Sequence, residues 1–106
     1  MNAGKLRHRA TIQQLVNIDD GAGGSIETWQ DIVTVWAAIE PLRGNERYTA
    51  QQVQSTLSHK VTIRYREGIK SQMRLTYKGR IFDIVSAIDI KELHQWLELL
   101  CSEVVQ

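Results

Sequence analysis

Between His59 and Ile88 the chain alternates apolar and polar side chains with a period of two. In "HKVTIRYR" Val61, Ile63 and Tyr65 fall on one face, with Lys60, Thr62, Arg64 and Arg66 on the other. "QMRLTYK" repeats the pattern through Met73, Leu75 and Tyr77. "RIFDIVSAID" puts Phe82, Ile84, Ser86 and Ile88 on one face and Ile81, Asp83, Val85 and Ala87 on the other. Successive side chains of a strand point to opposite faces, so this period is wrong for a helix and predicts half-buried antiparallel strands. "EGIKS" and "KG" supply the turns between them.

The flanking sequence extends the pattern. "RATIQQLV" is β-like. "NIDDGAGGSIE" reads as a hairpin loop, with three glycines and two aspartates in a short span. "SIETWQDIVTVWAAIEPL" is rich in β-branched and aromatic residues and ends at the only proline, Pro41. After a short helical turn at "IKELHQ", "WLELLCSEVV" predicts a last strand with Leu97, Leu99 and Cys101 inward. Six or seven short strands without alternating amphipathic helices predict an all-β fold, a small antiparallel barrel or sandwich. The 106 residues suit one domain, 1–106, with one core.

One segment breaks the pattern. "RGNERYTAQQVQSTLSH" is polar and lacks a wide apolar stripe. It reads either as a mobile loop or as a short helix marked by Tyr48, Ala50, Val53 and Leu57 and capped by Asn45. A segment of about 15 residues without a core face is uncommon inside a compact domain and is commonly functional.

Net charge is +1, but the signs are segregated. Lys5, Arg7 and Arg9 lead the chain with no acid among the first ten residues. Residues 11–59 carry two bases and six acids. Residues 60–80 carry Lys60, Arg64, Arg66, Lys70, Arg74, Lys78 and Arg80 against Glu67 alone, and residues 81–106 carry Lys91 against five acids. Such a chain suits head-to-tail self-association or a channel facing a polyanion. Nothing in the sequence approaches the roughly 18 apolar residues of a membrane span. The basic start lacks the apolar run of a secretory signal, which predicts intracellular synthesis. A lone cysteine, Cys101, gives no intramolecular disulfide and predicts a small buried apolar role.

Catalytic and metal-binding patterns are missing. His8, His59 and His94 stand at no ligand spacing with each other or with Cys101. Asp19-Asp20 lacks the alternating oxygens of a calcium loop, and "GAGG" lacks the following Lys-Ser/Thr of a phosphate loop. The expectation is no cofactor, no metal and no enzyme. Strict alternation also sends Tyr65 and Tyr77 to the face opposite the arginines, which weakens a base-stacking platform.

Taken in order along the chain, the motifs resemble those of the head–tail joining (head-completion, or stopper) proteins of long-tailed bacteriophages. The residues that carry the resemblance are "GKLRHRATIQ", Gly23-Gly24, Trp29, "VWAAIEPLRGNE", "HKVTIRY", "MRLTYKGRIFDI" and "WLELLC". The resemblance implies a virion protein at the head–tail junction, made in the bacterial host cytoplasm. It implies a homo-oligomeric ring, 6- or 12-fold, beneath the portal and adaptor proteins. The ring would close the DNA-filled head, offer a surface to tail proteins, and surround packaged double-stranded DNA, with no membrane involved. It further implies that the long segment projects into the channel as a gate, here through Arg43, Gly44, Asn45, Glu46, Arg47, Tyr48, Gln51, Gln52 and Gln54. The basic residues Lys5, Arg7, Arg9, Arg64, Arg66, Arg74, Lys78 and Arg80 are then candidate ring or partner contacts. The alternatives are a nucleic-acid-binding small barrel and a tail-side terminator or joining protein. Steep salt dependence of DNA affinity marks the first of these.

Overall fold

The computed structural model describes residues 5–105. Six antiparallel strands close a barrel in the order β1-β2-β3-β6-β5-β4. They are β1 (His8–Asp19), β2 (Ser25–Pro41), β3 (His59–Arg64), β4 (Arg74–Tyr77), β5 (Arg80–Asp89) and β6 (Trp96–Glu103). One helix, α1 (Gly44–Val53), lies between β2 and β3, and a 3-10 turn (Ile90–Glu92) precedes β6. The barrel, not the sandwich, is the outcome. Closure rests on three residue pairs between β1 and β4: Thr11 with Thr76, Ile12 with Leu75, and Gln13 with Arg74.

Alternation fills the interior. Ala10, Ile12, Ala37, Val61, Ile63, Leu75, Phe82, Ile84, Leu99 and Cys101 are sealed from solvent or nearly so. Met73 and Leu97 join them, and Tyr65 and Tyr77 pack partly buried at the margin. The β4–β5 turn has Lys78 at φ 47 and Gly79 at φ 81. Two consecutive positive φ values twist the chain in the sense that a two-residue hairpin requires.

Two bulges modify the pattern. Between Ile84 and Ser86 the β5–β6 register shifts, so Val85 has no partner on β6. An extra residue exchanges the two faces. Ala87 therefore packs on the core opposite Leu99, while Ile88 sits opposite Glu98 and is 47% exposed. The expected sharing of the Phe82 face by Ser86 and Ile88 is thus wrong beyond Val85. The second bulge lies between Ile12 and Gln13, where Ile32 is the extra residue on β2.

The first two strands outgrow the barrel. β1 touches β4 only at Thr11–Gln13, and β2 touches β3 only at Ala37–Pro41. Among the described residues, Gln14–Asp19 and Ser25–Gln30 pair only with each other. They form a two-stranded arm that extends the molecule to 50 × 28 × 27 Å. The arm's turn is shorter than the "NIDDGAGGSIE" loop expected, because regular pairing continues to Asp19 and Ser25. Asp20 closes it: its Oδ1 accepts from the N–H groups of Ala22 (2.8 Å) and Gly24 (3.0 Å). A Cβ on Gly24 would stand 2.8 Å from Asp20 Oδ2, so a larger residue there would push the Asp20 carboxylate from the position in which it closes the turn.

At one barrel end His59 packs edge-on to Phe82, with ring centroids 5.1 Å apart. Its Nδ1 lies 2.8 Å from Ser58 Oγ, and Arg80 Nη2 lies 3.4 Å from its Nε2. A guanidinium can only donate, so these contacts suit the neutral ring protonated on Nδ1. Burial lowers the His59 pKa; Glu103 opposes this and Arg80 reinforces it. The folded state therefore binds this proton more weakly than the unfolded chain. Stability that is complete above the ordinary histidine range, about pH 6.5, falls as pH drops through the folded value. Melting curves from pH 7.5 to 5 should show this loss, and His59→Asn should remove the part that His59 supplies. In the core, Phe82→Ala and Leu75→Ala should each cost about 2–5 kcal/mol. Ile88→Ala should change stability by less than about 0.5 kcal/mol, because the bulge turns it to solvent. Urea titration of the three variants checks both statements. A large loss at Ile88 would contradict the bulge.

Candidate functional site

The 43–58 segment is a short helix on a clamped base. Leu42 and Leu57 are buried, 4% and 2% exposed, at either end of the excursion. Leu42 N–H donates to Ser58 O (3.0 Å), and Ser58 N–H donates to Cys101 O (3.0 Å). Residues 43–57 are thus tied where they leave and rejoin the barrel. The helix between buries none of its residues; Tyr48 is 67% and Val53 86% exposed. Of the expected apolar marks, only Ala50 is half-buried within the helix, and Leu57 anchors beyond it.

Asn45 is not the cap. Gly44 takes φ 54, and the extended cap position falls on Arg43, whose side chain makes no capping bond. Asn45 lies inside the first turn. Two contacts hold the helix to its surroundings. Lys60 Nζ donates to Glu46 Oε2 at 2.9 Å, and Gln51 Nε2 donates to Leu57 O at 3.0 Å. The hydrogen bond from the Lys60 ammonium to Glu46 is the main reason that its pKa rises above the usual lysine range. Arg43, Gly44, Asn45, Glu46, Arg47, Tyr48, Gln52 and Gln54 are all exposed, and Gln51 is half-buried.

The eight basic candidates do not form one surface. Arg80 is engaged within the chain: its Nε and Nη2 donate to Glu103 at 2.8 and 3.1 Å. That pairing lowers the Glu103 pKa and raises that of Arg80. Arg74 donates to Gln13 Oε1 (2.7 Å) and lies 4.1 Å from the Trp29 ring centroid. Lys78 covers Tyr77 at 5.4 Å. Lys5 and Arg7 line a groove with Ala38, Ile39 and Glu40.

Arg9, Arg64 and Arg66 do come together. With Leu6, Val35, Trp36 and Tyr65 they line a groove of about 250 Å³ at the base of the arm. Arg9 covers Trp36 at 5.1 Å, and Arg64 covers Trp96 at 5.4 Å. Every tryptophan of the chain is thus stacked by an arginine from another strand or position. The pairing of Arg9 with Trp36 follows from β-register, because the two are directly opposite. Alternation within each strand does not reveal it.

Among the described residues no three or more His, Cys, Asp or Glu side chains converge on a metal-sized site. Burial, with a smaller effect of Asp83, pushes the Cys101 thiol up to about 12. It is therefore a small core side chain at neutral pH, as expected. No helix among the described residues is long and apolar enough to cross a membrane.

The fold and sequence have relatives. Protein SF1141 of Shigella flexneri 2a, solved in solution, superposes with a TM-score of 0.83 at 31% identity. The match covers 100% of this chain and 99% of that one. A chain from the virion of a native gene transfer agent particle shares the fold, with a TM-score of 0.65 at 23% identity over 95% and 97% of the two chains. The head completion protein gp16 of Bacillus phage SPP1 is 30% identical over 86 residues, 80% of this chain and 79% of gp16. The model of the phage head completion protein family matches residues 1–104. With that match over nearly the whole chain and the gp16 identity, this all-β barrel with its exposed helical excursion and arginine-lined groove belongs to the phage head completion protein family.

Proposed function

We propose that this chain forms a homo-oligomeric ring below the portal and adaptor of a phage head. The ring closes the DNA-filled capsid and provides the surface to which the tail docks. The protein is made in the host cytoplasm and ends at the head–tail junction of the virion. The observation that carries this reading is the 43–58 excursion, clamped at its base and burying none of its helix. Core packing gives no reason for a helix so exposed, whereas a ring that must obstruct a DNA channel needs a movable element attached to a rigid wall. In this reading Arg43, Glu46, Arg47, Tyr48 and the glutamines 51, 52 and 54 face the axis. Arg64, Arg66, Arg9, Lys5 and Arg7 face neighbouring subunits or the adjoining ring.

A nucleic-acid-binding barrel is the competing reading, and Trp36 and Trp96 on the outer face are its best support. Both rings are already covered by guanidinium groups of the same chain, so a base would have to displace an arginine to stack. If DNA recognition is the function, affinity for free DNA falls steeply with salt; the connector reading expects little affinity to measure.

The decisive test is complementation of a phage lacking this gene, scored by electron microscopy as filled heads, empty heads and free tails. Replacing residues 46–55 with a short Gly-Ser bridge should leave the barrel folded, because the Leu42–Ser58 clamp remains. It should leave ring attachment intact while packaged heads lose DNA. Normal numbers of filled heads joined to tails without the gene would overturn the assignment.

A further inference from the structure

We infer that the β1–β2 arm of one copy docks into the Arg9–Arg64–Arg66 groove of a second copy, joining subunits head to tail. This rests on the ring reading above and names the two surfaces that make the ring. A two-stranded hairpin standing alone in water is marginally stable. This one extends about 20 Å past the barrel, at about 3.4 Å per residue. Trp29 at its root is covered by Arg74 and Val16 is half-buried, but three of its apolar side chains are left exposed among the described residues. Ile18 and Ile26, directly opposite each other, are 52% and 57% exposed, and Leu15 on the other face is 41% exposed. A hairpin kept this long and this apolar needs a second surface to complete it.

Charge identifies that surface. Residues 14–31 contain Asp19, Asp20, Glu27 and Asp31 and no base. The groove holds three arginines and no acid, over an apolar floor of Leu6, Val35 and Trp36. Arginine and tryptophan are the residue types enriched where protein contacts are strongest. Arm and groove are thus complementary in charge and both partly apolar. Two arms, with four acids each, repel one another, so a symmetric arm-to-arm dimer is disfavoured. Arm and groove are different patches of one surface, so their contact is heterologous, and such contacts close into a ring when the rotation per subunit divides a full turn.

The test uses particles that carry the protein. Absence of the wild-type chain from particles would overturn the connector function itself, a separate result from failure of this contact. Ala22→Cys marks the exposed arm tip and Glu67→Cys an exposed site beside the groove. With both in one chain, mild oxidation of particles should give a ladder of disulfide-linked oligomers, and neither single variant should. Absence of a ladder in particles containing the double variant would overturn the contact, as would dimers from Ala22→Cys alone. A reciprocal charge exchange supplies the second measurement. Glu27→Arg and Arg66→Glu should each lower the copies per particle by about fivefold or more, and the two together should restore them to within about twofold. A double variant no better than the worse single one would overturn the proposal.

Discussion

Closure of the barrel through three residue pairs, Thr11–Gln13 against Arg74–Thr76, is the contact on which the other features depend. Backbone pairing around a closed sheet leaves no edge inside the barrel, and that closure lets a 12-kDa chain bury a core from twelve side chains. β4 is only four residues long, so it can cover only a short part of β1. Whatever β1 and β2 add beyond that length must leave the barrel as an arm. The same economy operates at the other connection. β3 begins at His59, clamped beside Leu42, so the residues between them must leave the wall as an excursion. Arm and helix are both consequences of a small, tightly closed barrel fed by a chain longer than its staves.

The interior explains why a period of two predicted so much. A residue facing the axis of a six-stranded barrel meets five other strands, so only apolar side chains are tolerated there, and Val61, Ile63, Leu75, Phe82, Leu99 and Cys101 were readable as core from alternation alone. The pattern failed at Val85. A bulge costs one residue of register, and "FDIVSAID" remains a good strand sequence whether or not the register slips. Only the partner strand decides: the shifted register sets Ala87 opposite Leu99 and Ile88 opposite Glu98.

The site was legible in part. The polar stretch from Arg43 to Ser58 stood out because every other segment had a core face. Its state did not, since a helix stabilised by a clamped base rather than by an apolar stripe leaves little periodic trace. Asn45 looked like a cap because caps are recognised by residue type; the backbone placed the extended residue at Arg43, one step before a left-handed glycine. The basic residues were visible as a set, but their division was not. Whether Arg80 meets Glu103 and Arg9 meets Arg64 is a matter of which strands adjoin, and sequence distance carries no information about it.

That division separates two uses of charge. Arg80 and Glu103 form a two-pronged pair beside His59, and the consequences remain within the barrel: shifted proton affinities and a fixed end to β6. Arg9 and Arg64 form no salt bridge among the described residues and lie instead over tryptophan rings. An exposed arginine on an indole contributes about 0.5–1 kcal/mol, too little for folding to require the arrangement. Its larger effect is on conformation. A guanidinium held over a ring has already lost part of its rotamer freedom, so a second protein meeting it pays less of the ordering entropy that usually opposes association. In the proposed contact the arm would supply the complementary half, with Asp19 and Glu27 held on a paired backbone and not on a flexible tail. In the proposed ring, groups pre-positioned on both sides would let a subunit fold alone first and join its neighbours afterwards at a smaller entropic cost.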